Sequence, residues 1–197
     1  MKKKVLIITG SIGILYILLA FVLPKFVAVP LAAYHSKKVW TENEKDYSES
    51  KSSNLVLDSI GNFPLPIGYV SDYEKIFSER QISHLTKLII DYEQKTTREI
   101  AIVTISSIEP YENVKDYATD LANEWKIGKP EKDNGLIILF SKNLRQIRIA
   151  TGTGTEQKLT DEICKKVIDS TIVPEFKKGK YYNGIESGLK ELMKRWE

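Results

Sequence analysis

The residues with the most chemical potential are Asp133, Glu156 and Asp161, with Asn134, Gly152 and Gly154 close by, all in the segment 133–162. Three carboxylates offer hard anionic oxygens and the amide a neutral one. Backbone carbonyls of the glycine loop can complete a shell of the kind that Ca²⁺ and Mg²⁺ prefer. A divalent ion carrying a bound water can serve phosphate-ester hydrolysis. A helix start is not the ideal place for a cation, because the dipole there favours anions, so the carboxylates must outweigh it.

Bringing these residues together requires a particular local fold. Residues 135–141 (GLIILFS) and 145–151 (RQIRIAT) are apolar or alternating runs separated only by Lys142-Asn143-Leu144. So short a connection predicts an antiparallel hairpin. The start of its first strand then lies beside the end of its second, so Asp133 and Asn134 should meet the loop Gly152-Thr153-Gly154-Thr155-Glu156. A helix capped by Thr160, with Asp161 and Glu162 in its first turn, should begin at the same end of the sheet. The same residues also have ordinary readings. Asp133-Asn134-Gly135 is a natural turn, Asp161 a natural first-turn residue, and the two glycines suit a tight turn. Gln157 stands where a dinucleotide fingerprint needs its third glycine, and no Gly-Lys-Ser/Thr follows as in a P-loop.

The remaining elements follow from periodicity. Ser78-Glu79-Arg80-Gln81 forms a capping box opening a helix with Ile82, Leu85, Leu88, Ile89 and Tyr92 on one face, ending near Thr96-Thr97. Residues 99–106 begin a β-branched strand (EIAIVTIS), and Val114 to Trp125 carry a second amphipathic stripe closed by Gly128 and Pro130. A right-handed crossover makes strand 99–106 parallel to 135–141. The helix after Thr160 should stop before Pro174, and a last helix begins within 179–183. The fold class is thus α/β, a three-layer α/β/α sandwich with a small mixed sheet.

Ahead of this domain the chain changes character. Residues 1–4 form a basic cytoplasmic flank, and Val5 to Leu23 run nineteen residues without a charge. That is about 28 Å of helix, enough for one hydrocarbon core. An uncleaved signal anchor is favoured over a cleaved signal peptide, since no clean A-x-A site follows. The positive-inside bias then makes the protein a single-pass cytoplasmic (inner) membrane protein whose C-terminal domain is extracytoplasmic. Lys25, Lys37 and Lys38 on the far side pull against that orientation. Residues 24–65 read as a juxtamembrane segment and polar linker, and the folded domain as 66–197.

Charge follows the same division. Residues 1–57 carry eight lysines against four acidic residues, whereas the rest holds 21 basic against 22 acidic. The globular part is near neutral, so nucleic acid is not an expected partner. The single Cys164 reads as a buried structural thiol, with no CxxC or Cys/His metal spacing. His35 and His84 have no partner at ligand spacing, Ser106-Ser107 lacks a local base, and Asp72 precedes the first helix without an assignable role.

The segments Gly68-Tyr69-Val70-Ser71-Asp72, Ile100 to Ile105, Trp125-Lys126-Ile127-Gly128, Asp133-Asn134-Gly135, Gly152-Thr153-Gly154-Thr155-Glu156, Leu159-Thr160-Asp161 and Val173-Pro174-Glu175-Phe176, with Gly179 to Ile185, occur in this order. Together they resemble the TPM domain family of bacterial envelope and plant thylakoid-lumen proteins. The resemblance implies a Rossmann-like sandwich and, in some members, divalent metal binding at an acidic cleft and acid phosphatase activity. It raises Asp133, Glu156 and Asp161 as metal ligands, with Asn134, Gly152 and Gly154 as binding residues and Ca²⁺ or Mg²⁺ as the cofactor. Two departures stand out. Many bacterial members carry their membrane segment and a glycine-rich tail after the domain, and Lys126 stands where glycine is common. Because some members assist membrane complexes, the expected function is a metal-binding domain that assists other envelope proteins. The alternative is a metal-dependent acid phosphatase acting on phosphomonoesters.

Overall fold

The computed structural model describes residues 59–60 and 63–197; the expected membrane helix at 5–23 lies outside them. Two short strands, β1 (Ser59–Ile60) and β2 (Phe63–Pro64), pair with each other only. The main sheet contains β3 (Val70–Asp72), β4 (Glu99–Thr104), β5 (Gly135–Ser141) and β6 (Gln146–Thr151), in spatial order β3-β4-β5-β6. The first three are parallel and β6 is antiparallel to β5, as the hairpin and crossover readings require.

Strand alternation divides the core in two. In register across the sheet, Val70 pairs with Ile102, Ile102 with Ile138 and Ile138 with Ile149. These four face one core together with Ile100, Leu136 and Phe140. Ala101, Val103, Ile137, Leu139 and Ala150 face the other. All seven residues of β5 are buried, which is why it reads as a continuous apolar run rather than an alternating one.

Helices cover both faces. On the first lie α1 (Glu79–Thr96), α4 (Asp161–Val167) and α6 (Tyr181–Arg195). On the second, α2 (Val114–Glu124) contributes Tyr117, Ala118 and Leu121. The Ser78–Gln81 capping box opens α1, and left-handed Thr97 (φ 62°) closes it. Asn113 caps α2 by accepting from the Asp116 N–H at 2.9 Å. Among the described residues no helix is long and apolar enough to cross a membrane.

Three features depart from expectation. The 153–156 loop coils into a one-turn helix, α3 (Thr153–Glu156). The helix after Thr160 does not stop before Pro174. It widens into a π-helical turn, Ile168–Ile172, and continues as α5 (Val173–Lys177) with Pro174 in the first turn. Proline is tolerated at such a position, where its missing N–H is not needed for a regular bond. Packing also extends N-terminally beyond residue 66, because Phe63 is buried in the second core.

Candidate functional site

Asp133 sits where the N-terminal ends of β4 and β5 meet the C-terminal end of β6. A turn leads into it, with the N–H groups of Lys132 and Asp133 both donating to the Lys129 carbonyl (2.9 and 2.7 Å). Its own backbone is left-handed (φ 46°), a region that aspartate tolerates better than most residues. The carboxylate Oδ2 accepts the Thr153 N–H at 2.7 Å and the Thr153 hydroxyl at 2.6 Å. Gly152, the N-cap of α3, has no side chain with which to cap it. Asp133 supplies the capping oxygen from the turn ahead of β5 instead. Those two hydrogen bonds hold its carboxyl below the usual aspartate range. Its other oxygen, Oδ1, takes no protein hydrogen bond among the described residues.

The glycines allow this approach. A Cβ at Gly152 would lie 2.3 Å from the Asp133 carbonyl oxygen, and one at Gly154 1.9 Å from that of Lys132. The Gly154 N–H donates to the Asp133 carbonyl at 3.1 Å. The expected meeting of Asp133 with the glycine loop is therefore present. The glycines serve close backbone contact there.

The other expected residues are placed differently. Asn134 is buried and clamps the turn: its Oδ1 accepts the Lys129 N–H and its Nδ2 donates to the Thr97 carbonyl, both at 2.9 Å. Asp161, in the first turn of α4, pairs with the Arg148 guanidinium at 2.8 Å. Glu156 is exposed at the end of α3. Among the described residues, no three His, Cys, Asp or Glu side chains are grouped to hold a metal ion. The donors fit a hard cation in kind, but their placement does not surround one.

Asp72 lies at the opposite, C-terminal end of the parallel strands. Its carboxylate accepts the Phe77 N–H (2.7 Å), the Ile76 N–H (3.1 Å) and the Thr104 hydroxyl (2.6 Å), ordering the lead into α1. Ser106 lines a shallow cleft of about 640 Å³ at that end with Glu74, Lys142, Asn143 and Arg145. The Glu74 carboxylate already accepts the Lys142 and Asn143 N–H groups. Cys164 is buried, which pushes its thiol up to about 11 and leaves it unsuited as a nucleophile. His84 pairs with Glu186 across α1 and α6 at 3.2 Å on the surface.

Sequence reading missed a half-buried charge network behind the Asp133 turn. Lys129 Nζ donates to Glu99 and lies 3.7 Å from Glu93; the Tyr69 hydroxyl donates to Glu93 at 2.7 Å, and the Gly128 N–H to Glu99 at 2.7 Å. Burial raises the Glu93 carboxyl against the pull of Tyr69 and Lys129. A signal existed, because Glu93 continues the buried Leu85–Ile89 stripe at a spacing of four residues.

A family profile described as TPM domain matches residues 70–195. The N-terminal domain of a P. gingivalis protein, solved in solution, is 26% identical, covering 64% of this chain and 80% of its own, with a TM-score of 0.60. The BA42 protein of the psychrophilic bacterium Bizionia argentinensis is 19% identical over 63% of this chain and 83% of its own, at a TM-score of 0.55. The N-terminal domain of the cg2496 protein of Corynebacterium glutamicum is 15% identical over 76% and 90%, at 0.52, so these last two speak for fold alone. No curated protein matches. The profile spans most of the chain and reaches from β3 to the end of α6, so the chain belongs to the TPM domain family.

Proposed function

We propose that this TPM domain is an extracytoplasmic binding module, tethered to the cytoplasmic membrane by the helix at 5–23, that takes a divalent cation and assists other envelope proteins. The cation, Ca²⁺ or Mg²⁺, engages the open end of the sheet at Asp133 and Glu156. Asp161 joins only by parting from Arg148. The observation that carries this reading is the Asp133 carboxylate, held ionised and fixed through Oδ2 while Oδ1 accepts no hydrogen bond among the described residues. Binding rather than hydrolysis is favoured because the neighbouring amide, Asn134, is spent on backbone hydrogen bonds, and Asp72 and Glu74, at the opposite end of the sheet, are spent likewise.

So open a site should bind weakly, with a dissociation constant on the order of 10⁻⁴ to 10⁻³ M. Titrating Ca²⁺ or Mg²⁺ into the protein should shift the amide signals of residues 133–135 and 152–161, and Asp133→Ala should abolish the shift. That substitution also removes the cap on α3 and should cost about 1 kcal/mol of stability. No shift at millimolar metal in the unsubstituted protein rejects the site. Phosphomonoester hydrolysis that disappears with Asp133→Ala would instead establish the phosphatase alternative. For the tether, a periplasmic reporter fused after Glu197 should be active, and an inactive fusion rejects the outside placement.

A further inference from the structure

The residues just ahead of the family-matched region form a separate feature. Phe63-Pro64-Leu65-Pro66 precede the match, which begins at residue 70, and hydrogen-bond to no strand of the main sheet. Phe63 is only 7% exposed; its ring meets Tyr117 edge-on at 5.2 Å between centroids and Tyr111 at 5.7 Å. The next two carbonyls accept from aromatic side chains. The Trp125 indole N–H donates to the Pro64 carbonyl at 3.0 Å, and the Tyr73 hydroxyl donates to the Leu65 carbonyl. Beyond it Ile67 is 60% exposed.

The chemistry is that of an aromatic groove reading an extended, proline-bearing peptide. Phe63 and Leu65 each precede a proline and are therefore biased to extended backbone, which lowers the ordering cost of docking. Aromatic walls supply apolar contact, while indole and phenol donors reach carbonyls that have no ladder partner in the main sheet. We propose that this groove is a recognition site for extended peptides of the aromatic-proline-aliphatic-proline type, and that residues 63–66 are its resident occupant, a strap that keeps the groove closed.

The strap is joined to β3 by only residues 67–69. So short a tether gives it an effective concentration of roughly millimolar or more, sufficient to exclude a free peptide of modest affinity. Release of the strap, by a partner or by tension from the membrane side, opens the groove.

The test inserts a protease site between Pro66 and Ile67 in the full chain and follows a fluorescently labelled peptide of sequence 59–66 by anisotropy. The cut chain should bind it saturably and at least about tenfold more tightly than the uncut chain, as a roughly millimolar local competitor requires. A peptide with Ala in place of the phenylalanine should not compete. In the cut chain, Trp125→Phe keeps an aromatic ring but loses the donor and should weaken binding about fivefold, the worth of one hydrogen bond. Uncut Phe63→Ala, which vacates the ring pocket, should also gain binding. The proposal is overturned if neither the cut chain nor Phe63→Ala takes up the peptide, or if the alanine peptide competes equally. A cut chain that unfolds, read by circular dichroism, overturns it too, since the domain would then depend on the strap to fold.

Discussion

Gly135→Ala is expected to destabilise the protein by about 3 kcal/mol, the upper part of the range for forcing an extra group into a packed interior. Gly135 opens β5, the strand buried along its whole length. A Cβ there would lie 2.0 Å from the Ile127 carbonyl oxygen, 2.6 Å from the Ile127 carbonyl carbon and 3.0 Å from the Gly128 nitrogen. All three are backbone atoms, so no side-chain rotation relieves the clash. The 127–129 segment must move, and with it the Gly128 N–H that donates to Glu99 and the Lys129 amine that pairs with it. Thermal unfolding should show a midpoint lower by roughly 10 °C for a domain of this size. A drop of only about 2 °C would mean that the 127–129 segment yields freely and does not brace the Asp133 turn. Gly154→Ala meets the Lys132 carbonyl oxygen similarly, but at the end of a one-turn helix that can shift outward, so its cost should be smaller.

What could be read from the chain alone was what local rules control. The hairpin, the Ser78 capping box and the approach of Asp133 to the glycine loop rest on short spacings, the parallel crossover on the handedness of a strand–helix–strand unit, and all are present. Strand β3 has only three residues, too few to show alternation. Pro174 read as a helix stop because proline forbids a regular bond to the preceding turn, yet the π-helical turn relaxes that requirement. Lys126 stands where the resemblance leads one to expect glycine. Its left-handed backbone (φ 52°) explains why glycine suits that position and implies a strain of about 1 kcal/mol. At the candidate site, the sequence revealed which residues share an end of the sheet. It did not reveal that Asn134 is consumed by the turn, because the Thr97 carbonyl comes from a distant segment, or that Asp161 is held by Arg148, because that pairing depends on how α4 lies against β6.

The second large effect is expected from Lys129→Met. Glu93 and Glu99 have side chains only 9% and 14% exposed, and Lys129 is the cation between them. Removing one partner of a buried pair strands the other charge; here two carboxylates are left facing each other. Because the Lys129 side chain is 35% exposed, solvent screens part of the loss, and about 2–3 kcal/mol at pH 7 is expected. The pH dependence has a definite sign. Glu93 is already raised by burial, so the folded state holds its proton more tightly than the unfolded chain does. Stability from that group grows as pH falls through its folded value toward 4.5. Without Lys129, one downward pull disappears, Glu93 rises further, and protonation relieves the repulsion at a higher pH. The deficit relative to the unsubstituted protein should therefore shrink as pH falls from 7 to about 5. The comparison must be a difference, because Asp133, Glu175, Glu186 and Glu191 are lowered and lose their stabilisation on acidification in both proteins. Urea unfolding at the two pH values measures this, and Glu93→Gln combined with Lys129→Met should recover part of the loss at pH 7. A deficit that stays constant or widens in acid would show that Lys129 acts through packing of its stem rather than charge. Its backbone N–H and carbonyl, which hold Asn134 and Asp133, survive the substitution. Metal-induced shifts at residues 133–135 should therefore persist in Lys129→Met, which separates the stability of the turn from the ligand capacity of Asp133.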